Sequence, residues 1–127
     1  MKTREREDMG DFRNLEVWQE AHLLTLEIYK LTSKLPRSEQ FGLISQIRRA
    51  AVSVESNIAE GESRYSRKEK IQFFVISRGS VAEVKTQLLI IGDLHNQLNN
   101  KVSEIFNRLS ILEKRMNRLI SFHRERK

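Results

Sequence analysis

Apolar residues recur every three to four positions along four stretches of the chain, and each stretch is bounded by residues that start or stop helices. Leu15, Trp18, Ala21, Ile28 and Leu31 share the first face. Asn14 stands before them as a good N-cap, and Pro36 closes the stretch, because the residue before a proline avoids helical angles. Leu43, Ile47, Ala50, Val54 and Ile58 make the second face. Ser38 is positioned to cap that helix, Glu39 suits its dipole, and Gly61 suits the C′ position. Ser66-Arg67-Lys68-Glu69 matches the capping box S-x-x-E and opens a third helix that runs to about Leu98. Its apolar side chains point nearly all round, from Ile71 and Phe73 to Ile91 and Leu94. Such a helix has several neighbours or lies in a subunit interface. Gly79 inside it costs about 1 kcal/mol against Ala, which predicts a close helix contact there. Asn99-Asn100 breaks the pattern. Val102, Ile105, Leu109, Leu112, Met116 and Leu119 then alternate by three and four, as in a coiled-coil seam.

Four helices with short connections predict an all-α protein, an antiparallel up-down-up-down four-helix bundle over residues 14–127. No segment alternates apolar and polar residues as a half-buried strand does. Residues 1–13 are highly charged and aperiodic, and are expected to form a disordered or loosely attached arm.

The second helix carries another pattern. Gln46, Arg49, Ser53, Ser56 and Glu60 follow a 3-4-3-4 rhythm beside its apolar stripe, with Asn57 next to them. A solvated face needs no such order. One reading is an interhelical hydrogen-bond network, since buried polar groups must find partners and such networks fix register. The other is a ligand pocket or partner groove. Folding the chain about a turn near residues 61–66 sets Arg49 opposite Gly79 and within reach of Glu83, which predicts an Arg49–Glu83 ion pair.

Composition narrows the function classes. The chain has 127 residues, 39% hydrophobic and 31% charged, with one Pro, which suits one amphipathic helical domain. No apolar run approaches the roughly 18 residues of a membrane span, and Met1 to Gly10 lacks the apolar core of a signal peptide. The absence of Cys removes disulfides and thiolate metal sites and fits a cytoplasmic protein. His22, His95 and His123 are isolated, and neither E-x-x-H, H-E-x-x-H nor a Gly-rich phosphate loop occurs. The expectation is a non-enzyme without cofactor or metal.

The net charge of +6 is unevenly placed: residues 101–127 carry eight basic and three acidic residues. A segregated positive region is a candidate surface for a polyanion, and equally a soluble surface. Lys101, Arg108 and Arg115 repeat every seven residues in one row spaced about 10 Å apart, and Arg118 adds to them. Such rows track phosphates without reading bases. The same row also borders the apolar seam, where Arg stems cover apolar surface as a solvated edge. Phe122 and His123 beside these Arg are candidates for stacking on bases.

The run Arg48 to Gly61, R-R-A-A-V-S-V-E-S-N-I-A-E-G, resembles the four-helix-bundle proteins of intervening sequences in bacterial 23S ribosomal RNA genes. The likeness continues through Ser66, Lys68, Glu69, Phe73 and Gly79-Ser80 to Glu83. Leu15, Trp18, Gln19 and Ala21 are similar to the family's opening, and Leu35-Pro36, Glu39 and Gly42-Leu43 to its first turn. Glu55, Ser77 and Asp93-Leu94-His95 depart from the pattern. The resemblance implies a small cytosolic bundle that assembles into a five-fold ring. A more distant likeness, to the accessory variability proteins of diversity-generating retroelements, implies work with a reverse transcriptase and nucleic acid. The expected function is a non-catalytic, self-assembling bundle, a homo-oligomer and most simply a pentamer, that binds RNA or DNA through a basic surface. The alternative is a protein-interaction scaffold with no nucleic acid.

Overall fold

Four long helices carry the described residues, 11–125, of the computed structural model: α1 (Glu16–Thr32), α2 (Ser45–Ser63), α3 (Arg67–Leu94) and α4 (Asn99–Glu125). No strand occurs among these residues. Each helix packs on the next, and α1 closes the circle against α4, with the α2–α3 seam the most extensive. Cross-helix bonds fix each consecutive pair as antiparallel: Thr25 with Ala51 and Arg48 with Thr32, Ser53 with Ser80 and Ser77 with Val54, Arg78 with Asn117 and Lys85 with Glu113. The architecture is the expected up-down-up-down bundle.

The core is built from the predicted stripes. Ile47, Ala50, Val54 and Ile58 of α2 meet Leu24, Ile28 and Leu31 of α1, with Phe74, Val81, Val84, Leu88 and Ile91 of α3 opposite. The α4 seam holds from Val102 through Met116, then ends on Ile120, while Leu119 is only partly buried. Each buried Leu, Ile or Phe contributes roughly 1.5–3 kcal/mol of transfer free energy, so burial along these stripes dominates the fold. Ser66 caps α3 as the S-x-x-E pattern requires, its Oγ accepting from the Glu69 N–H at 3.0 Å.

The helix ends differ from expectation where loop geometry decides. Leu15, not Asn14, is the N-cap of α1, and Asp11 instead caps a short 3-10 turn, Phe12–Asn14. The rest of the charged arm expected over residues 1–13 lies outside the described residues. Ser38 caps nothing: Arg37–Glu39 forms a 3-10 turn and Gln40–Ile44 a π-helical turn, in which Gly42 leaves helical geometry at φ −107°, ψ −105°. α2 therefore starts at Ser45, and it continues past Gly61 to Ser63. α3 stops at Leu94, and Asn96–Leu98 forms a 3-10 turn that hands over to α4 at Asn99, so the Asn pair opens a helix where a break was expected.

The glycines exchange roles. A Cβ on Gly79 would meet nothing within 4 Å, so no close contact is made there. Gly61 is the close-approach residue: a Cβ would lie 2.7 Å from Phe74 Cε1 and 3.2 Å from the Lys70 carbonyl oxygen. The α2–α3 turn can be only three residues long because the helices converge this tightly at its base.

Candidate nucleic-acid interface

The basic row on α4 divides into two halves. Lys101 donates to Glu27 of α1 at 2.9 Å and to Glu104 at 3.3 Å, and Arg108 stands 3.7 Å from Glu20 of α1. Glu20 and Glu27 are themselves seven residues apart, so the two helices present matching heptad rows of opposite charge. The hydrogen bond between Lys101 and Glu27 raises the Lys101 ammonium above its ordinary pKa and lowers the Glu27 carboxyl below its own. These two cations pair α4 with α1, so part of their charge is offset by the α1 carboxylates.

Arg115 and Arg118 stand apart from this ladder. One heptad beyond Glu20 the α1 side offers Arg13, which is bound to Asp11 at 2.6 Å. No ion pair among the described residues engages Arg115 or Arg118, and both are exposed. They line an open cleft of about 650 Å³ between the start of α1 and the end of α4, with Leu15, Glu16, Leu119 and Phe122. Phe122 is 45% exposed and stands edge-on to His123, ring centroids 5.1 Å apart. His123 in turn lies 5.8 Å from the buried Phe74 ring. Two guanidinium groups and an aromatic edge around a concave surface suit a phosphate with its attached base. Glu16 in the same cleft opposes an anion, so the Arg pair must outweigh it.

Sequence reasoning missed a second basic segment at this end of the bundle. Antiparallel packing brings the α2–α3 turn to the same end as the start of α1 and the finish of α4. It presents Arg64, Tyr65, Arg67 and Lys68, with Tyr65 fully exposed. The R-Y-S-R-K string was the available signal; only the fold places it beside the tail of α4.

The polar stripe of α2 also divides. Ser53 and Ser80 hydroxyls pair at 2.9 Å across the α2–α3 seam, and Asn57 donates to the Ser53 carbonyl at 2.9 Å and to its Oγ at 3.0 Å. This part is the interhelical network. Glu60 accepts from Arg64 one turn on at 2.6 Å, an exposed local pair. Gln46, Arg49 and Glu83 line one surface pocket with Phe41 and Ser53. Arg49 and Glu83 do not form the expected ion pair. The turn is centred on Tyr65, so Arg49 is level with residues 82–84 and register alone would allow the pair, but both side chains are exposed. Nothing then drives the two ions together, since solvated pairs gain little.

A wider, mainly apolar groove of about 670 Å³ adjoins that pocket. It runs between the π turn and α3 and is lined by Leu43, Ala82, Thr86, Ile90 and Leu94 among others. Leu94 is 63% exposed, and Ile76 and Leu89 of α3 are half exposed. Two of the three histidines are held structurally: His22 stacks on Trp18 and meets Glu55 at 3.0 Å, and His95 meets Glu39 at 3.4 Å. Among the described residues no group of three or more His, Asp or Glu is arranged to hold a metal ion, and no helix is long and apolar enough to cross a membrane.

Comparisons with known proteins give the same picture of the fold. Residues 13–118 match the family described as 23S rRNA-intervening sequence protein. Among solved structures, a protein of unknown function from the S23 ribosomal protein family of Bacteroides thetaiotaomicron superimposes with a TM-score of 0.73. The two share 21% identity over 82% of this chain and 97% of the other. No curated protein matches the chain.

Proposed function

The chain belongs to the 23S rRNA-intervening sequence protein family, and from that premise we propose that it is a non-catalytic, self-assembling bundle that binds RNA or DNA through its basic end. The observation that carries this reading is the contrast within one row of cations. Lys101 and Arg108 are matched by carboxylates of α1, whereas Arg115 and Arg118 flank a cleft with an exposed Phe122 and have no ion-pair partner among the described residues. Unmatched cations on a folded surface release counterions when a polyanion binds, which gives affinity without sequence preference.

Self-assembly is supported by α3, whose Ile76, Leu89, Ile90 and Leu94 leave more apolar surface outside than one bundle requires. The assembled unit is a homo-oligomer, pentameric as the family resemblance implies, working in the cytoplasm. A ring repeats the basic end around its axis, so weak single contacts act together through effective concentration. A reverse transcriptase is the protein partner to test first, on the distant likeness to the retroelement accessory proteins.

The decisive experiment is binding of the purified protein to labelled RNA and DNA at about 50 mM salt, followed across a salt series. Affinity that falls steeply with salt and varies little with sequence supports the reading; absence of binding overturns it. A protein-interaction scaffold without nucleic acid is the second reading, favoured by the apolar groove between the π turn and α3.

A further inference from the structure

The α2–α3 turn combines three properties that the basic cleft on α4 does not explain. First, Tyr65 is at its tip and wholly exposed, with a relative accessibility of 101%. Second, the loop that carries it is pinned from both sides. The Arg64 N–H bonds to the Gly61 carbonyl at 3.2 Å, and its guanidinium bonds to Glu60 at 2.6 Å and lies 4.8 Å over the Phe73 ring. Lys70 donates to the Glu62 carbonyl at 2.9 Å, and Ser66 caps α3. Third, the exposed Arg67 and Lys68 follow at once, and neither enters an ion pair among the described residues.

A large aromatic ring held out in water by a braced loop buries nothing within the chain. Cations beside it say what kind of surface would cover it: one with negative charge and flat π-faces. Nucleic acid has both, but a duplex hides its base faces in the stack, and only unpaired bases offer them. The loop also connects to the first basic site. Phe73, under Arg64, neighbours Phe74, which touches His123, which touches Phe122. Two of the exposed aromatics, Tyr65 and Phe122, thus lie at one end of the bundle, each with two cations that enter no ion pair among the described residues.

We infer that Tyr65 is a stacking platform for an unpaired base, flanked by Arg67 and Lys68 as phosphate contacts, and that it makes the basic end selective for single-stranded nucleic acid over duplex. This rests on the nucleic-acid reading above and adds the class of ligand to it. Because the loop is already ordered, little conformational freedom is lost when a base stacks.

The test compares wild type with Tyr65→Ala, Tyr65→Phe and Tyr65→Leu. The probes are a labelled single strand of about 12 nucleotides, within the span of sites of this type, and a duplex of the same length. Tyr65→Ala should weaken single-strand binding by about 5- to 150-fold, the usual loss for one stacked base, and leave duplex binding unchanged. Tyr65→Phe should keep wild-type affinity and Tyr65→Leu should not. The residue is fully exposed, so helix content by circular dichroism should be the same in all four proteins. Undiminished single-strand binding by Tyr65→Ala, or full recovery with Leu, overturns the stacking role while the nucleic-acid reading stands. Equal wild-type affinity for single strand and duplex overturns the selectivity. If wild type binds neither probe, the nucleic-acid reading falls and the inference falls with it.

Discussion

Lys101 of α4 and Glu27 of α1 are joined at 2.9 Å, and one heptad away Arg108 stands 3.7 Å from Glu20. The pairing separates cations that hold helices from cations that face outward. Replacing Lys101 and Arg108 by Ala should therefore leave nucleic-acid affinity and its salt slope nearly unchanged. Replacing Arg115 and Arg118 by Ala should reduce the slope of log K against log salt by about 1.4 for single strands. Anisotropy titrations over a salt series measure both. The Lys101–Glu27 pair also has a defined pH window. The Glu27 carboxyl is lowered, so its contribution to stability is present above the ordinary value of 4.5 and is lost as pH falls through the lower native value. The Lys101 ammonium is raised, so its contribution is present below 10.5 and is lost as pH rises through the higher native value.

Gly61 and Gly79 should respond to the same substitution with opposite signs. At Gly61 a methyl group runs into the buried Phe74 ring and the Lys70 backbone. Overpacking of this kind costs about 1–3 kcal/mol, more than the ~1 kcal/mol gained in helix propensity. At Gly79 the methyl meets nothing, and Ala should stabilise by up to about 1 kcal/mol. Thermal denaturation of Gly61→Ala and Gly79→Ala gives the comparison, with a lowered and a raised midpoint expected.

Glu62 gives a pH prediction of the other sign. Burial beside the α2–α3 turn raises its carboxyl above the ordinary 4.5, and the attraction of Lys70 only partly offsets this. The native state thus holds the proton more tightly than the unfolded chain does. Its ionised form is a liability above the native pKa, and the liability disappears below 4.5, where both states are protonated. Glu62→Gln should raise the melting midpoint at pH 7 and leave it unchanged near pH 4. An equal shift at both pH values would assign the effect to packing.

Self-assembly through α3 predicts that a charge in the exposed apolar groove blocks association and spares the fold. Ile90→Glu with Leu94→Glu should convert the protein to monomer with unchanged helix content. Light scattering at micromolar concentration reads the mass. Wild type should scatter as an oligomer, with five copies expected; a wild-type monomer would remove the assembly from the proposal.

Much of the fold was legible because burial obeys periodicity. The stripes of α2 and α4 are the buried residues almost without exception, and Ser66 carries its cap in the local sequence. What was not legible depends on partners distant in the chain. Gly79 read as the close-packing glycine because it lies mid-helix, yet the choice between it and Gly61 is made by the Phe74 ring on the neighbouring helix. Ser38 read as a cap because its neighbours fit, but the chain after Pro36 takes a 3-10 and then a π turn. The row Lys101, Arg108, Arg115 is uniform in sequence and divided in space, since only the first two meet glutamates of α1. Tyr65 shows no periodic signal at all; its position at the basic end follows from topology.

The even number of antiparallel helices has a practical corollary. α1 begins and α4 finishes at the end of the bundle that carries Tyr65, Arg115 and Arg118. An affinity tag or fluorescent fusion joined directly to the start of α1 or the finish of α4 would therefore sit beside the surface proposed to meet nucleic acid, and a polyhistidine tail there would add its own attraction for a polyanion. Labels belong at the opposite end, on the segment after Thr32, where a dye reports on the molecule without touching that surface.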